Sequence, residues 1–257
     1  AQPADALAIA GLTKLGFKQE LLSAMIYGCD GIVSFLERQI SIPIQIADTV
    51  FIVAENDGVV IGFVEFRIYY KSFFLNYIGI SPQARKQGLA TNLLGQAALM
   101  VRTKHHKKLS LDVFSDNVAA NNWYEKLGFI AEFKAGWYKI SQSDICEGIN
   151  EEAKVSGYSQ SSLCYNAFGF SQFTLTSAIG TYSIGMLGKD WFKVSQIELF
   201  SDASALYTLY LIDSSRSILG LFKENDHAKL PEGAVCFCRS IRMNIQLETF
   251  EKNIFSK

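Results

Sequence analysis

Hydrophobic and polar positions alternate with two different periods along residues 17–140. Short apolar runs bounded by turn residues predict strands, and apolar residues repeated every three or four positions predict helices. A break at residues 28–31, which include two glycines, divides the first helical stretch (17–40) into two helices. The later predicted elements are strands at 51–54, 59–70 and 73–80, a helix at 88–106, a strand at 109–114, a helix at 117–127, and strands at 129–133 and 137–141.

This order of elements predicts a mixed α/β (α+β) fold over residues 1–142. The turn at 55–58 has strong hairpin chemistry, so the first two strands are expected to be antiparallel. The helix at 88–106 connects two strands, and such a crossover makes them parallel neighbours. We therefore expect a central mixed sheet flanked by helices.

A polar stretch at residues 142–160 predicts a linker to a second domain. Many of the 19 Phe and 11 Tyr residues of the chain follow it, which favours β structure. We predict a smaller, β-rich accessory domain over 150–257, and no internal repeat is evident. Its predicted strands are 170–184, 192–200, 207–212, 218–222 and 235–247, although 203–211 fits a short helix equally well.

Composition narrows the function classes. The 257 residues are 49% hydrophobic with a net charge of −1, which predicts a substantial core and argues against a general nucleic-acid binder. No apolar run is long enough for a membrane span, and no basic region precedes the run at residues 6–10, so no signal peptide is expected. Five irregularly spaced cysteines indicate reduced core residues in a cytoplasmic protein, without a disulfide framework or a zinc site.

The first candidate binding site is the segment Arg85-Lys86-Gln87-Gly88-Leu89-Ala90, which lies at the start of a predicted helix. The first turn of a helix has free N–H groups and the positive end of the helix dipole, so it binds phosphate. Gly88 and Ala90 let a ligand approach the backbone, and the two cations add charge. The segment fits the pyrophosphate of a nucleotide-like cofactor, and a purely structural glycine is the alternative.

The second candidate is the segment from Asn117 to Phe129. It resembles the N-x-x-A-x-x-x-Y-x-x-x-G-F pattern of the GCN5-related N-acetyltransferase (GNAT) family. Residues 85–90 resemble the R/Q-x-x-G-x-G/A pattern of the same family. Both patterns stand in the family's order, with one helix and one strand between them. The resemblance covers residues 45–140 and nothing after residue 142.

This resemblance implies acetyl-CoA as co-substrate and no metal. In the family the strand before the glycine turn diverges from its neighbour and pairs with the pantetheine arm, and the helix start holds the pyrophosphate. Tyr124 would lie near the thioester sulfur. The implied cofactor-binding residues are Ile78, Gly79, Ile80, Arg85, Lys86, Gln87, Gly88, Leu89, Ala90, Thr91, Asn117 and Tyr124.

The implied reaction moves an acetyl group to a primary amine. The amine attacks the thioester carbonyl directly, and a backbone N–H, that of Ile78, stabilises the oxyanion. Tyr124 acts as general acid towards the leaving thiolate. The alternative role of Tyr124 is to pack on the core from a helix face.

The general base is less well defined by the sequence. Many family members carry a carboxylate where Asn76 or Tyr77 stands here. A subset that acetylates protein N-termini has a carboxylate five residues before the motif Asn, and Asp112 occupies that position. Asp112 alternates with apolar neighbours and can face the cleft. Water is another possible proton acceptor. Glu65 is a further candidate for the general base, and its alternative role is an ion pair with Arg67.

The acceptor class stays open between a small-molecule amine, a peptide N-terminus and a lysine. Residues 17–40 and 69–73, which should shape the acceptor pocket, contain no decisive charge cluster. The alternative to an enzyme is a non-catalytic acyl-CoA sensor or interaction module on the same fold. The accessory domain could cover the acceptor site or form a homodimer. The basic run at 104–108 is expected to be a solvated helix cap.

Overall fold

A computed structural model describes residues 1–142 and 152–255 of the chain. Its helices and strands are α1 (Ala6–Lys14), α2 (Gln19–Ser23), α3 (Ile32–Ile40), β1 (Thr49–Asn56), β2 (Val59–Ile68), β3 (Ser72–Ile80), α4 (Leu89–Val101), β4 (Lys108–Phe114), α5 (Val118–Lys126), β5 (Ile130–Ile140), β6 (Lys154–Ser156), α6 (Tyr158–Phe168), β7 (Phe170–Thr176), β8 (Thr181–Leu187), β9 (Trp191–Val194), α7 (Ala203–Ile212), β10 (Ser217–Lys223), β11 (Val235–Gln246) and α8 (Leu247–Phe255). Short 3-10 helices lie at Pro3–Asp5, Ile26–Gly28, Pro82–Ala84, Ile197–Ser201 and Glu224–Lys229.

The chain forms two compact units. Unit 1 consists of Ala1–Lys18, Val33–Phe133 and Ile241–Lys257, and unit 2 consists of Gln19–Ile32 and Lys134–Ser240. These bounds differ from those of the predicted domains, 1–142 and 150–257, because both β5 and β11 are divided between the units. The assignment of an acetyltransferase domain and an accessory domain by function stays a prediction.

Unit 1 is a mixed sheet flanked by helices, as the sequence predicts. Its strand order is β1-β2-β3-β4-β11-β5. Strands β1, β2 and β3 are antiparallel, and β3 and β4 are parallel and connected by α4. The apolar residues of β4 pack with α4, α5 and α8 in one core, in which Phe66, Phe73 and Phe250 are fully buried. Alternating apolar positions on β4 therefore direct one face of this sheet towards the helices.

Unit 2 repeats the connections of β1 to β4 in unit 1, namely three antiparallel strands, a crossover helix and a parallel strand, a repeat that the sequence does not reveal. Its strand order is β11-β5-β10-β9-β8-β7-β6. Strands β7, β8 and β9 are antiparallel, and β9 and β10 are parallel neighbours connected through α7. The helical alternative predicted for 203–211 is confirmed, and the strand prediction for 207–212 is wrong.

Three local predictions are corrected by the structure. The predicted linker lies partly outside the described residues, and its last part forms β6 and the start of α6. The predicted strands at 129–133 and 137–141 are the single strand β5. Helix α4 ends at Val101, and His106 is buried where a solvated cap was expected. Its imidazole accepts a hydrogen bond from the Thr103 N–H and donates to the Tyr69 carbonyl, which satisfies both ring nitrogens.

The cysteines only partly follow the prediction. Cys29 is buried and Cys164 is exposed, so Cys164 is not a core residue. Cys236 and Cys238 are half-buried on β11, and Cys146 lies outside the described residues. Within residues 1–142 and 152–255, no helix combines the length and the apolar character that a bilayer span requires.

Candidate active site

Strands β3 and β4 separate part-way along their length. Their parallel pairing covers Ser72 to Leu75 of β3, and from Tyr77 to Ile80 the strand is paired with β2. The register between β2 and β3 shifts at this point, where Asn76 is the extra residue of a β-bulge. Because a bulge bends its strand, the second half of β3 turns away from β4. An opening between the two strands results.

Backbone groups of β3 line this opening. The Ser81 N–H donates to the Ile61 carbonyl of β2, at 2.8 Å. Backbone groups alternate along a strand, so those of Gly79 also face β2, and those of Ile78 and Ile80 face the opening. The Arg85 side chain donates to the Ile80 carbonyl at 3.0 Å, in agreement with this direction.

The glycine turn lies where this opening meets α4. Lys86 and Gly88 have left-handed φ angles of +61° and +78°. The first hydrogen bond of the helix runs from the Asn92 N–H to the Gly88 carbonyl. The N–H groups of Leu89, Ala90 and Thr91 come before it, so they have no carbonyl partner within the helix. Such N–H groups at a helix start, after a turn with left-handed residues, form an anion-binding concavity.

Helix α5 places Tyr124 in the core beside this turn. The Trp123 indole N–H donates to the Thr91 hydroxyl at 3.1 Å, which connects the two helices. The Tyr124 side chain is 6% exposed and packs edge-on against Phe129. Burial raises the pKa of Tyr124 well above its usual value, so its hydroxyl keeps its proton at neutral pH.

Asn117 is the N-cap of α5. Its side-chain oxygen accepts a hydrogen bond from the Ala120 N–H at 3.1 Å. This bond satisfies one of the free N–H groups at the start of the helix, which explains a polar residue here without a ligand. The predicted hydrogen bond from Asn117 to a cofactor stays a prediction.

The two faces of the sheet differ at the opening. Ile78 and Ile80 pack in the same core as Tyr124, on the face that α4 and α5 cover. A Cβ placed on Gly79 would approach Phe63 at 2.5 Å and Leu12 of α1 at 3.4 Å, so this residue points to the opposite face. Helix α1 therefore covers the side of the opening that lies away from Tyr124.

Aromatic rings border the opening on the α1 face. The Phe17 ring contacts Tyr77 of β3 and Phe114 of β4 edge-on, at centroid distances of 6.1 and 5.9 Å. Burial is the main cause that raises the pKa of Tyr77, and the charge of Glu65 adds to it. A molecule entering from this face meets a largely apolar wall.

Asp112 lies opposite to its apolar neighbours on β4, as predicted, and it is bound by Arg242 of β11. The guanidinium donates to both carboxylate oxygens, at 2.5 and 2.8 Å, and lies 4.9 Å from the centroid of the Phe74 ring. The bonds to Asp112 raise the pKa of Arg242 above its usual value. The role of Asp112 as general base stays a prediction, and this ion pair gives the residue a structural role.

Glu65 is a second carboxylate on the α1 face. It is 4% exposed, lies opposite Tyr77 in the register of β2 and β3, and accepts a hydrogen bond from the Asn76 side chain. An acidic residue inside the apolar strand β2 is a sequence signal for such a site. Arg242 gives no comparable signal, because it lies far from Asp112 along the chain.

Residues 26–129 match the acetyltransferase (GNAT) family. They are a GNAT acetyltransferase domain. The GNAT domain contains the opening between β3 and β4, the glycine turn and Tyr124. No curated protein sequence matches the chain.

Solved structures share the fold along most of the chain. A Pyrococcus horikoshii protein assigned as an acetyltransferase has a TM-score of 0.62 and 14% identity, covering 99% of this chain and 90% of its own. A GCN5-related N-acetyltransferase from Sphaerobacter thermophilus has a TM-score of 0.58 and 14% identity, covering 96% and 94%. A tandem GNAT protein from the clavulanic acid biosynthesis pathway has a TM-score of 0.56 and 12% identity, covering 84% and 87%. At these identities the likeness shows the fold alone.

The structure brings most of the predicted cofactor residues of the GNAT domain to one place. Ile78 and Ile80 border the opening, the turn at 85–91 closes one end, and Tyr124 belongs to the adjoining core. Asp112 is on the other face of the sheet from Tyr124. The binding and catalytic roles of these residues stay predictions.

Proposed function

We propose that the GNAT domain transfers an acetyl or related short acyl group from its CoA thioester to a primary amine. The divergence of β3 from β4 beside the glycine turn carries this proposal. The turn offers N–H groups to a pyrophosphate, and the backbone edge of β3 at Ile78 offers partners to the amides of a pantetheine arm. One extended ligand with both groups satisfies both sites.

The chemistry follows from the groups around the opening. The amine nitrogen forms a bond to the thioester carbon, and the oxyanion that develops accepts a hydrogen bond from the Ile78 N–H. Such a donor lowers the barrier by about 3 kcal/mol in other enzymes. The carbon–sulfur bond then breaks, the protonated Tyr124 hydroxyl gives its proton to the thiolate, and the new amide nitrogen loses a proton to a carboxylate or to water.

The acceptor enters, in this proposal, from the α1 face. The aromatic wall of Phe17, Tyr77 and Phe114 removes water from the amine, which disfavours its charged form. A small-molecule amine, a peptide N-terminus and a lysine all fit this chemistry. The cytoplasmic location and the homodimer stay predictions from the sequence.

Acetyl-CoA binding and turnover test the proposed function. Calorimetry with the full chain should detect binding, and thiol release should follow with one class in a panel of alkylamines, peptides and aminoglycosides. Binding without release on any acceptor would favour the non-catalytic sensor. An absence of binding would contradict both.

A pair of glycine variants tests the turn itself. Gly88 and Gly157 both precede a helix, with φ angles of +78° and +73°, and a Cβ on either would meet no atom within 4 Å. Ala at either position should cost about 1 kcal/mol of folding free energy. Only Gly88→Ala should also weaken acetyl-CoA binding, by about tenfold, because its methyl group keeps the ligand away from the backbone. Equal affinities in the two variants would contradict the assignment.

A further inference from the structure

The carboxylate suggested by sequence as the base is poorly placed to accept a proton. Both oxygens of Asp112 accept hydrogen bonds from one guanidinium, in a bidentate pair. Such a pair occupies the carboxylate lone pairs that a proton would use. A proton transfer to Asp112 would first have to break this pair.

Glu65 is a second acidic side chain on the α1 face near the opening. Its Cα is paired with that of Tyr77, next to the bulge at which β3 leaves β4. Asn76, the bulged residue, donates a side-chain hydrogen bond to Oε1 of Glu65. The bulge that creates the opening therefore also orients this carboxylate.

Glu65 and Tyr124 lie on opposite faces of the same sheet. Tyr124 packs with Ile78 in the core under α4 and α5. Glu65 is paired with Tyr77, whose ring contacts Phe17 on the α1 face. A thioester that passes through the opening has its sulfur on the Tyr124 side and its carbonyl carbon exposed to a nucleophile from the Glu65 side.

We infer that Glu65 is the general base of the acyl transfer, with Asn76 as its positioning residue. This inference rests on the proposed function. The Glu65 carboxylate takes a proton from the acceptor ammonium, directly or through one water. The neutral nitrogen bonds to the acyl carbon, the carbon–sulfur bond breaks, and the thiolate receives the Tyr124 proton. The new amide nitrogen loses its second proton, which reprotonates Tyr124 through solvent, and Glu65 releases its own proton to solvent.

Burial gives the carboxylate the properties that this role needs. At 4% exposure, Glu65 is shielded from bulk water, so its charge is compensated by fixed groups. These groups include the Asn76 amide, which donates a hydrogen bond to the carboxylate. A partly compensated carboxylate in such a site can hold a proton transiently.

Glu65→Gln tests the inference, because it keeps the size and the acceptor oxygen for Asn76 but cannot take a proton. With an alkylamine acceptor, kcat should fall about 10²- to 10⁴-fold, while acetyl-CoA affinity stays unchanged. With an aromatic amine, which is neutral at pH 7, the loss should be much smaller. Glu132→Gln is the matched control, because Glu132 is a carboxylate of β5 that pairs with Lys108, and it should keep wild-type kcat.

Asn76→Ala provides a second readout, which does not depend on whether Glu65→Gln folds. Removal of a donor to the charged carboxylate raises the pKa of the base. The acidic limb of the kcat/KM profile should therefore move to higher pH, with little change in the plateau. Tyr77 and Arg67 stay in place as the other ionisable groups near Glu65, so the shift reports on the lost hydrogen bond.

The possible failures are distinguishable. Wild-type kcat in Glu65→Gln, or an unmoved acidic limb in Asn76→Ala, would overturn the assignment of Glu65 and leave the acyltransferase proposal intact. A loss in Asp112→Asn that Glu65→Gln does not share would return the role to Asp112. A wild-type protein that binds acetyl-CoA but acetylates no amine would overturn the proposed function and this inference together.

Discussion

Tyr124 shows how one buried side chain can be chemically defined by its surroundings. Its ring packs in the core of unit 1, and its hydroxyl is difficult to ionise because the interior solvates a phenolate poorly. A group that keeps its proton can only donate, which is the property of a general acid. The same burial would suit a purely structural tyrosine, so the distinction requires a kinetic measurement.

Tyr124→Phe separates these roles. We expect kcat to fall about 10²-fold or more, with acetyl-CoA affinity and thermal stability nearly unchanged. In the wild-type protein, the alkaline limb of the pH profile of kcat that is set by this hydroxyl should lie above pH ~10. This value is the usual pKa of tyrosine, and burial raises the pKa of Tyr124 above it. Tyr182→Phe, at a buried tyrosine of unit 2, is the control. Equal turnover in all three proteins would remove Tyr124 from the mechanism.

At the scale of elements, β11 and α8 complete the core of unit 1 from the far end of the sequence. Met243, Ile245 and Leu247 are buried there, and Phe250 of α8 is fully buried against Phe129. These residues share a core with the strands that form the opening. The packing that holds the candidate site therefore also depends on β11 and α8.

Phe250→Ala should lower the free energy of unfolding by about 3–5 kcal/mol, because it leaves a cavity in a closed core. Phe255→Ala, on the same helix at 43% exposure, should cost less than half as much. Chemical denaturation of both variants gives the comparison. Similar losses would show that α8 contributes little specific packing.

The elements that sequence predicts well are those that depend on near neighbours. The hairpin at 55–58, the glycine turn and the cap at Asn117 are encoded within a few residues of their positions. The bulge at Asn76 depends on the register with β2, and the Asp112–Arg242 pair joins residues 130 positions apart. Such contacts appear only when the chain is folded, so the bulge and the partners of Asp112 and Glu65 escaped prediction. The divergence of the strand before the glycine turn is predicted, but only through the resemblance to a family.

At the scale of the whole molecule, the two units repeat one connection pattern but differ at the start of the crossover helix. In unit 2, α7 begins after Asp202, which is fully buried. Its carboxylate accepts hydrogen bonds from the Ala205 N–H and the Ser177 hydroxyl. This carboxyl group lies where unit 1 offers backbone N–H groups at a helix start. Moreover, β9 is paired with β10 along its whole length, from Trp191 to Val194.

We therefore expect each chain to bind one acetyl-CoA, at unit 1. Unit 2 has a carboxylate at the helix start and a closed strand pair, both unfavourable to a pyrophosphate and a pantetheine arm. Calorimetric titration of the full chain measures the stoichiometry. A value near two would place a second site in unit 2.

The division of β5 and β11 between the units has a consequence for the order in which the protein can fold during synthesis. Unit 1 receives its strand from residues 241–246 only after residues 134–240 have left the ribosome. Its sheet thus closes through contacts of high sequence separation, which form slowly. The first half of the nascent chain must wait with an unpaired β4 edge, a state that attracts other strands and chaperones. Maturation of the candidate site is therefore tied to the synthesis of residues 241–246.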